Sequence, residues 1–403
     1  MAHSIRTKHI LANPGRSGRR KFSFGSLLHT AFSAVRLFVR QNTVLAIALT
    51  AAFLTSWAVP VDAQYLGYFD FKTLTCLFCT LACICALRNI KFFVTLARRI
   101  IMLCKNAKLC VLTLVYITFI GSMFLANDMA LLTFLPLGFM VLQSAKQEKY
   151  MAFTFVMQNI AANLGGMLTP FGNPQNLYIY SYFNIPTGEF MSIMALPFAV
   201  AIAVITLTCL IFVKKEPLVI ENEDVKVNPW RAAVYLVLFA LSVIIVFRLI
   251  PYWIGLIIVP LALIFLDRDA LRKVDYPLLL TFCAFFIFAG NMARIPLVRE
   301  VFTWLLEKNT MIVSALSCQV ISNVPSAVLL SQFTENYREL LLGVNIGGAG
   351  TLIASLASLI TFREYTKHYP EKTGKYIALF SVCNFGMLAL LLGVESLWLA
   401  FMG

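Results

Sequence analysis

Polar and helix-breaking residues interrupt strongly apolar sequence at two related places in this chain. One stretch covers residues 163–177 and the other residues 345–359, and both open with the pattern N-[LI]-G-G-x-x-T. Aligned in that register, the equivalent polar residues are Asn163 and Asn345, Thr169 and Thr351, Asn173 and Ser355, and Asn176 and Ser358. Paired, interrupted apolar segments in two halves of a membrane protein indicate the binding site of a transporter.

The chemistry available at such breaks is ion binding. A broken helix exposes free amides at the N-terminus of one piece, which suit an anion, and free carbonyls at the C-terminus of the other, which suit a cation. Non-helical backbone is tolerated at membrane depth only where it packs in protein or lines a polar cavity. We therefore expect the breaks, including the Thr169-Pro170 step, to form one composite site for an ion or anion.

The composition places these breaks in a membrane. Of the 403 residues, 60% are hydrophobic and 13% are charged, against roughly 25% charged residues in soluble domains. Apolar runs long enough to cross ~30 Å of hydrocarbon recur between Val44 and Met402. The predicted fold is an all-α polytopic membrane protein, with spans near 44–60, 73–87, 151–183, 190–213, 232–247, 249–267, 277–293, 341–362 and 376–400.

The net charge of +14 is explained by topology. If the N-terminus is cytoplasmic, 27 of the 33 Lys and Arg residues fall in predicted internal segments, as the positive-inside rule requires. Nucleic-acid binding is therefore not expected. Residues 1–43 are basic and contain no acid; they fit a cytoplasmic arm on anionic lipid, although an organellar transit peptide has a similar composition.

Two further apolar segments must enter and leave the membrane on the same face, because basic residues flank both of their ends. They are residues 109–142, with Asn127-Asp128 as the predicted tip, and residues 309–334, with Ser322-Asn323-Val324-Pro325 as the tip. Each is followed by a broken span, which predicts inverted-topology repeats. The predicted divisions are an arm (1–43), a first repeat (44–213, with hairpin 109–142 and broken span 151–183), a linker with a connecting span (214–247) and a second repeat (248–403, with hairpin 309–334 and broken span 341–362).

Asp128 is the one carboxylate predicted deep in the membrane, while Glu395 lies nearer the end of the last span. An intramembrane carboxylate is a candidate for proton or cation coupling. Neither Lys nor Arg is predicted at the midplane, so an anion would rely on helix termini and co-bound cations, which favours symport; a site for cations or a neutral solute stays open. Cysteines in the span 73–87 fit packing better than a metal site, and no enzyme chemistry or cofactor is expected.

The two hairpins and two broken spans together resemble those of the ion transporter superfamily. The resemblance is to its citrate-transporter-like and divalent-anion/sodium symporters, with arsenite-permease and sodium/proton-antiporter relatives. The segment from Gly165 to Asn176 is similar to the family's T-P-x-G-[ST]-P-x-N loop, and Ser322-Asn323-Val324-Pro325 is similar to its hairpin tip. The Asn127-Asp128 tip is more similar to the arsenite-permease branch. The resemblance covers about residues 109–200 and 277–400.

The resemblance implies site residues as well as a fold. Cation binding would fall to Asn127, Gly172, Ser322, Asn323 and Ala354, and substrate binding to Asn127, Asp128, Asn173, Asn323 and Ser355. The residues themselves add Asp128 as a cation ligand and Asn176 as a substrate contact, with Asn163, Thr169, Pro170, Asn345, Thr351 and Ser358 in the broken-helix loops. The resemblance also implies a homodimer and an elevator-type movement of the transport domain.

The leading hypothesis is a secondary transporter of a small carboxylate or inorganic anion, coupled to Na⁺ or H⁺, in the inner (plasma) membrane. A sodium/proton antiporter or arsenite-type metalloid exporter on the same scaffold is the alternative, and a non-transporting scaffold or channel is a third class. The expected partners are the anion, the lipid bilayer and a second copy of the chain, without nucleic acid.

Overall fold

A computed structural model of the chain describes residue 36, residues 42–217 and residues 227–402, and every named element among them is a helix. The predicted basic arm (1–43) lies almost entirely outside the described residues, as does part of the predicted linker (214–247). Six of the described helices have the length and hydropathy to cross a membrane. The chain is thus an all-α polytopic membrane protein, as its composition predicts.

The first half begins with three helices and then forms a hairpin, a broken helix and a long helix. These elements are α1 (Thr43–Ala58), α2 (Phe71–Asn89), α3 (Phe92–Ile101), α4 (Ala107–Leu125), α5 (Asn127–Ser144), α6 (Met151–Gly165), α7 (Pro174–Tyr182) and α8 (Thr187–Phe212). Short 3-10 turns cover Ala63–Tyr68, Glu148–Tyr150 and Gly166–Leu168.

The second half ends with the same order of elements. Its helices are α9 (Pro229–Val246), α10 (Tyr252–Leu266), α11 (Arg268–Arg272), α12 (Tyr276–Arg294), α13 (Pro296–Lys308), α14 (Thr310–Ile321), α15 (Asn323–Leu330), α16 (Tyr337–Ile346), α17 (Leu356–His368) and α18 (Thr373–Met402), with a 3-10 turn at Pro370–Lys372. The series from α2 to α8 and from α12 to α18 correspond element by element: a long helix, a short helix, a hairpin, a broken helix and a final long helix.

Both hairpins turn more tightly than the sequence predicts. The first passes from α4 to α5 through Ala126 alone, and the second passes from α14 to α15 through Ser322 alone. Residues Asp128 and Pro325, predicted in the tips, belong to first helical turns. Proline is tolerated there because first-turn amides have no intrahelical acceptor. The arms of the first hairpin have 19 and 18 residues.

The two broken spans are interrupted where glycine and proline predict. The first ends its leading helix at Gly165 and resumes at Pro174, which occupies the favourable first position of α7. The second ends at Ile346 and resumes at Leu356, after the N-cap Ser355. Each break therefore leaves a loop outside α-helix next to a hairpin tip, with a 3-10 turn at Gly166–Leu168 in the first.

Candidate ion and substrate site

The two hairpin tips have the same backbone geometry. Ala126 and Ser322 have positive φ angles of 62° and 75°, and each is followed by a buried asparagine that begins the next helix. The Oδ1 of Asn127 accepts a hydrogen bond from the amide of Asp128, and the Oδ1 of Asn323 accepts one from the amide of Val324, both at 2.9 Å. The first asparagine of each helix thus satisfies one of the free amides at its own start.

Equivalent threonines tie each broken-helix loop to the adjacent hairpin. The Thr169 hydroxyl donates to the carbonyl of Met123 at 2.8 Å, and the Thr351 hydroxyl donates to the carbonyl of Gln319 at 3.1 Å. Both acceptors lie three residues before the positive-φ residue of the tip. The repeated threonine of the sequence pattern therefore has one structural role in both halves.

Each tip also contacts the broken helix of its own half. The Nδ2 of Asn127 donates to the Oδ1 of Asn163 at 3.1 Å. In the second half the amide of Asn323 donates to the carbonyl of Ala354 at 2.9 Å, and the Ser322 hydroxyl donates to the same carbonyl at 3.3 Å. The structure thus brings together the predicted tip and loop residues of each half.

The halves meet at Gly348. A Cβ placed on this glycine would lie 3.2 Å from the Nδ2 of Asn323 and 3.9 Å from the Oδ1 of Asn163. Nearby, the Nδ2 of Asn345 donates to the Oδ1 of Asn176 at 2.6 Å. Glycine at position 348 therefore allows amide groups from both repeats to approach the same stretch of backbone.

Some of the predicted ligands are engaged within their own loops. The Nδ2 of Asn176 faces the carbonyls of Gly166, Met167 and Thr169 at 3.2–3.3 Å. Asn173 donates to the carbonyl of Asn163 at 3.2 Å, but its Oδ1 is buried without a hydrogen-bond partner among the described residues. In this structure Asn176 holds the loop in shape, whereas Asn173 retains a free acceptor.

The second loop has its own internal contacts. The hydroxyls of Ser355 and Ser358 are 3.0 Å apart, and the Ser358 amide donates to the Ser355 Oγ. Ser355 therefore caps the start of α17. Just before these caps both loops bend in the same way: the Gly172 amide, after Pro170, donates to the carbonyl of Thr169 at 3.2 Å, and the Ala354 amide donates to the carbonyl of Thr351 at 3.2 Å.

Gln319 was missed by sequence reasoning. Its Nε2 donates to the carbonyls of Gly347 and Ala349 at 2.8 and 3.2 Å, and its Oε1 accepts from the Thr351 amide at 2.8 Å. Gln319 thus bonds to the backbone groups of the second loop, as Asn176 bonds to the backbone carbonyls of the first. Its amide side chain, three residues before the tip residue Ser322, was the available signal.

One cavity of about 780 Å³ reaches both hairpin tips. Its wall includes Pro174 of the first broken span, Leu356 of the second and an apolar surface from α1 and α12. The tip residues that line it are Asn127, Asp128, Ser322, Asn323, Val324 and Pro325. A ligand in this cavity would contact both repeats at once.

Three ionisable side chains line the same cavity: Asp128, Asp275 and Arg363. The Oδ1 of Asp128 is buried without a hydrogen-bond partner among the described residues. Arg363 lies on α17 eight residues after Ser355, about 12 Å along the helix, so the cavity offers an anion one cationic side chain at a distance from the broken-helix loop. Its placement in a predicted internal segment hid it from sequence reasoning. Glu395 is also buried, in α18, but does not line the cavity.

Comparison with known proteins agrees with this architecture. A family model described as "Citrate transporter" matches residues 33–336. The chain belongs to the citrate transporter family. It is 34% identical over 296 residues to an uncharacterised transporter of Methanocaldococcus jannaschii, covering 73% of this chain and 81% of that protein. It is 30% identical over 281 residues to the inner membrane protein YbiR of Escherichia coli, covering 68% of this chain and 74% of that protein.

As a member of the citrate transporter family, the chain is a membrane transporter. The family match includes the first hairpin, the first broken span and the second hairpin, and it ends at residue 336, just before α16. The second loop is therefore joined to the matched region through its contacts with Ser322 and Asn323.

Proposed function

We propose that this protein is a secondary active transporter of a small carboxylate or inorganic anion, coupled to Na⁺ or H⁺. The observation that carries the proposal is the single cavity lined by both hairpin tips together with Asp128, Asp275 and Arg363. A site with one cationic and two carboxylate side chains offers separate contacts for an anion and for its coupling cation.

The anion is assigned to Arg363 and the start of α5. The N-cap residue Ala126 makes no side-chain capping bond to α5, so first-turn amides of α5 other than that of Asp128 can donate to an anion. In α15 the Asn323 and Val324 amides already donate to the Ala354 carbonyl and the Asn323 Oδ1, and Pro325 has no amide hydrogen. Arg363 adds a fixed charge whose guanidinium can bind a carboxylate or phosphate with two donors. Asn173, Asn323 and Ser355 are the proposed polar contacts around the anion.

The coupling ion is assigned first to the half that contains Asp128. A buried carboxylate oxygen without a hydrogen-bond partner is stabilised by a proton or a bound cation. Asn127 and Gly172 would complete that site. A second cation site at Ser322, Asn323 and Ala354 would require these groups to give up their present contacts with one another, so we expect it to be the weaker of the two.

Movement and assembly follow the same proposal. The paired hairpins and broken helices are the proposed mobile transport unit of an elevator-type cycle, in a homodimer, with the N-terminus cytoplasmic in an inner (plasma) membrane. The internal repeat supports alternating access because two similar halves can exchange conformations.

The test is uptake of citrate and of inorganic anions into proteoliposomes under imposed sodium or proton gradients. Wild-type protein should accumulate one of these anions with saturable kinetics, and Asp128→Asn should remove the gradient dependence. Asp269→Asn is the matched control, because Asp269 forms exposed ion pairs on α11 with Arg272 and Lys273. Uptake that is independent of both the sodium and the proton gradient, and that is unchanged by Asp128→Asn, would contradict the proposal.

A second candidate, a sodium/proton antiporter or metalloid exporter, also rests on the unpartnered Asp128 oxygen. It predicts that sodium gradients drive proton movement without an added anion, or that a deletion strain is sensitive to alkaline pH or arsenite. Anion-stimulated charge movement in the same vesicles favours the leading proposal, whereas a flux without saturation favours a channel.

A further inference from the structure

Asp275 lines the cavity at the hairpin tips, but it belongs to a different part of the fold from the other ionisable residues there. It is the N-cap of α12, and its Oδ1 accepts a hydrogen bond from the Leu278 amide at 2.9 Å. Asp128 and Arg363 lie on α5 and α17, which belong to the proposed mobile unit, whereas α12 does not. The transported ions would therefore leave Asp275 behind when the mobile unit moves.

The first hairpin tip lies beside the ends of α2 and α12 that sequence predicts on the cytoplasmic side. The Nη1 of Arg88, in the last turn of α2, contacts the Sδ of Met129 at 2.9 Å, and Met129 directly follows Asp128. The negative charge of Asp275, at the start of α12, acts on the Asp128 carboxylate. In this conformation the first tip thus stands at the cytoplasmic ends of both helices.

No ion pair neutralises Asp275 among the described residues. Lys273, two residues before it, pairs with Asp269 instead. The ammonium of Lys273 also donates to the Oδ1 of Asn89 at 2.8 Å. Arg363 lines the same cavity but forms no ion pair with Asp275. Asp275 therefore adds a negative charge to the cavity wall beside the first tip.

A negative charge at this position acts in opposite directions on the two ions of the proposed function. It repels an anion bound at the start of α5, and it attracts a cation bound at Asp128. Such a charge opposes capture of the anion, but it favours the loss of the anion where the substrate leaves the protein. Its position on a helix outside the mobile unit confines the effect to conformations in which the first tip stands beside α12.

We propose that Asp275 is a release residue on the cytoplasmic side, an inference that rests on the proposed function. While the first tip stands beside α12, Asp275 lowers the affinity for the anion and raises that for the coupling cation, so the anion leaves first. When the mobile unit carries the first tip away, the site recovers a higher affinity for the anion.

The equivalent residue of the first half offers a matched control. Asp70 is the N-cap of α2, and its Oδ1 accepts a hydrogen bond from the Thr73 amide at 2.9 Å, as Asp275 accepts one from Leu278 in α12. Asp70 does not line the cavity at the hairpin tips. The two aspartates therefore share the capping role, and they differ in whether they face the site.

The first experiment measures both affinities by thermal unfolding of the purified protein, since a ligand that binds only the folded state stabilises it. Sodium is titrated against choline at constant ionic strength, protons by changing the pH, and citrate, sulfate and phosphate in saturating sodium. Asp275→Asn removes the charge but keeps a good capping side chain. It should weaken binding of the coupling cation and strengthen binding of the anion, each roughly fivefold, whereas Asp70→Asn should change neither.

Opposite shifts identify an effect of charge, because a structural defect would weaken binding of both ions. Shifts of the same sign, or ligand binding by Asp275→Asn equal to that of the wild type, would overturn the proposal. A wild-type protein that is stabilised by neither of the cations and by none of the three anions would instead contradict the proposed function, and this inference with it.

A second experiment tests the side of the membrane on which Asp275 acts. Uptake of whichever of the three anions stabilises the wild type most is measured in everted membrane vesicles, which present the cytoplasmic side, and in right-side-out vesicles. Asp275→Asn should lower the KM for this anion roughly fivefold in everted vesicles and leave it unchanged in right-side-out vesicles. An equal change on both sides would refute a role in release.

Discussion

The first hairpin site and the second share a backbone frame but differ in chemistry. Ser322 and Asn323 both bond to the carbonyl of Ala354, so the second tip satisfies its own loop. Asn127 bonds to Asn163, but its neighbour Asp128 leaves a buried carboxylate oxygen without a partner among the described residues. The two halves therefore share a symmetric frame, but only the first tip, among the described residues, places a carboxylate directly after its asparagine.

The largest expected effect is a difference in uptake between substitutions at the two hairpin tips. Asp128→Asn should reduce gradient-driven uptake roughly 10- to 100-fold, the equivalent of one lost charged contact. Ser322→Ala should cost only a few-fold, because Asn323 keeps the bond to the Ala354 carbonyl. Uptake rates at several sodium concentrations and pH values measure both; equal losses would indicate that the halves contribute equally to coupling.

The next effect concerns the anion contact. Arg363→Gln should raise the KM for the transported anion roughly tenfold, with a smaller change in maximal rate, because a charged contact is lost while the coupling site remains. Arg272→Gln is the control, since Arg272 is exposed on α11. An unchanged KM in Arg363→Gln would remove this residue from the anion site.

The second broken-helix loop requires a glycine conformation at Gly350, and replacing this glycine should lower the stability of the protein. Gly350 has a φ of 130°, and a Cβ there would collide with the amide group of Gln319. Gly350→Ala should therefore lower the free energy of unfolding by about 1–3 kcal/mol. Gly374→Ala has open space around its Cβ and should unfold close to the wild-type temperature. Thermal unfolding in detergent tests the pair, and equal stability would show that the second loop tolerates rearrangement.

The smallest expected effect is on stability, at the bases of the hairpins. At each base a glutamate accepts a hydrogen bond from a backbone amide of the first hairpin helix. The Glu216 backbone carbonyl accepts from the Ala107 amide, and its side chain pairs with Lys149 at 2.5 Å; the Glu339 side chain accepts from the Met311 amide at 3.2 Å. The hydrogen bond from Lys149 lowers the pKa of Glu216 below its ordinary value.

A lowered folded-state pKa means that this pair stabilises the protein above the ordinary pKa of a glutamate, and that the contribution is lost as the pH falls through the folded-state value. Lys149→Ala should therefore cause a slight loss of stability at neutral pH and a smaller one in acid, because the pair is exposed. Thermal unfolding measured from neutral to acidic pH checks this; a loss that grows in acid would contradict it.

Much of the fold could be predicted from sequence because its signals are local. Glycine, proline and single polar residues in apolar runs marked the broken helices and the tips near Asn127 and Ser322. The partners of those residues could not be predicted, since Gln319 and Asn176 perform the same task from different elements. Arg363 lines the cavity because α17 begins at the second break and its second turn packs against the cavity. Such contacts depend on packing between distant segments.

Gly348 lies next to side-chain amides from both halves of the site. Since it carries no side chain, the Asn163 amide, already bonded to the first tip, and the Asn323 amide of the second tip approach the same backbone. Under the proposed function, a coupling ion at the first tip and an anion between the tips would both act on these amides. Their affinities should then be linked reciprocally, each changing the other by the same factor.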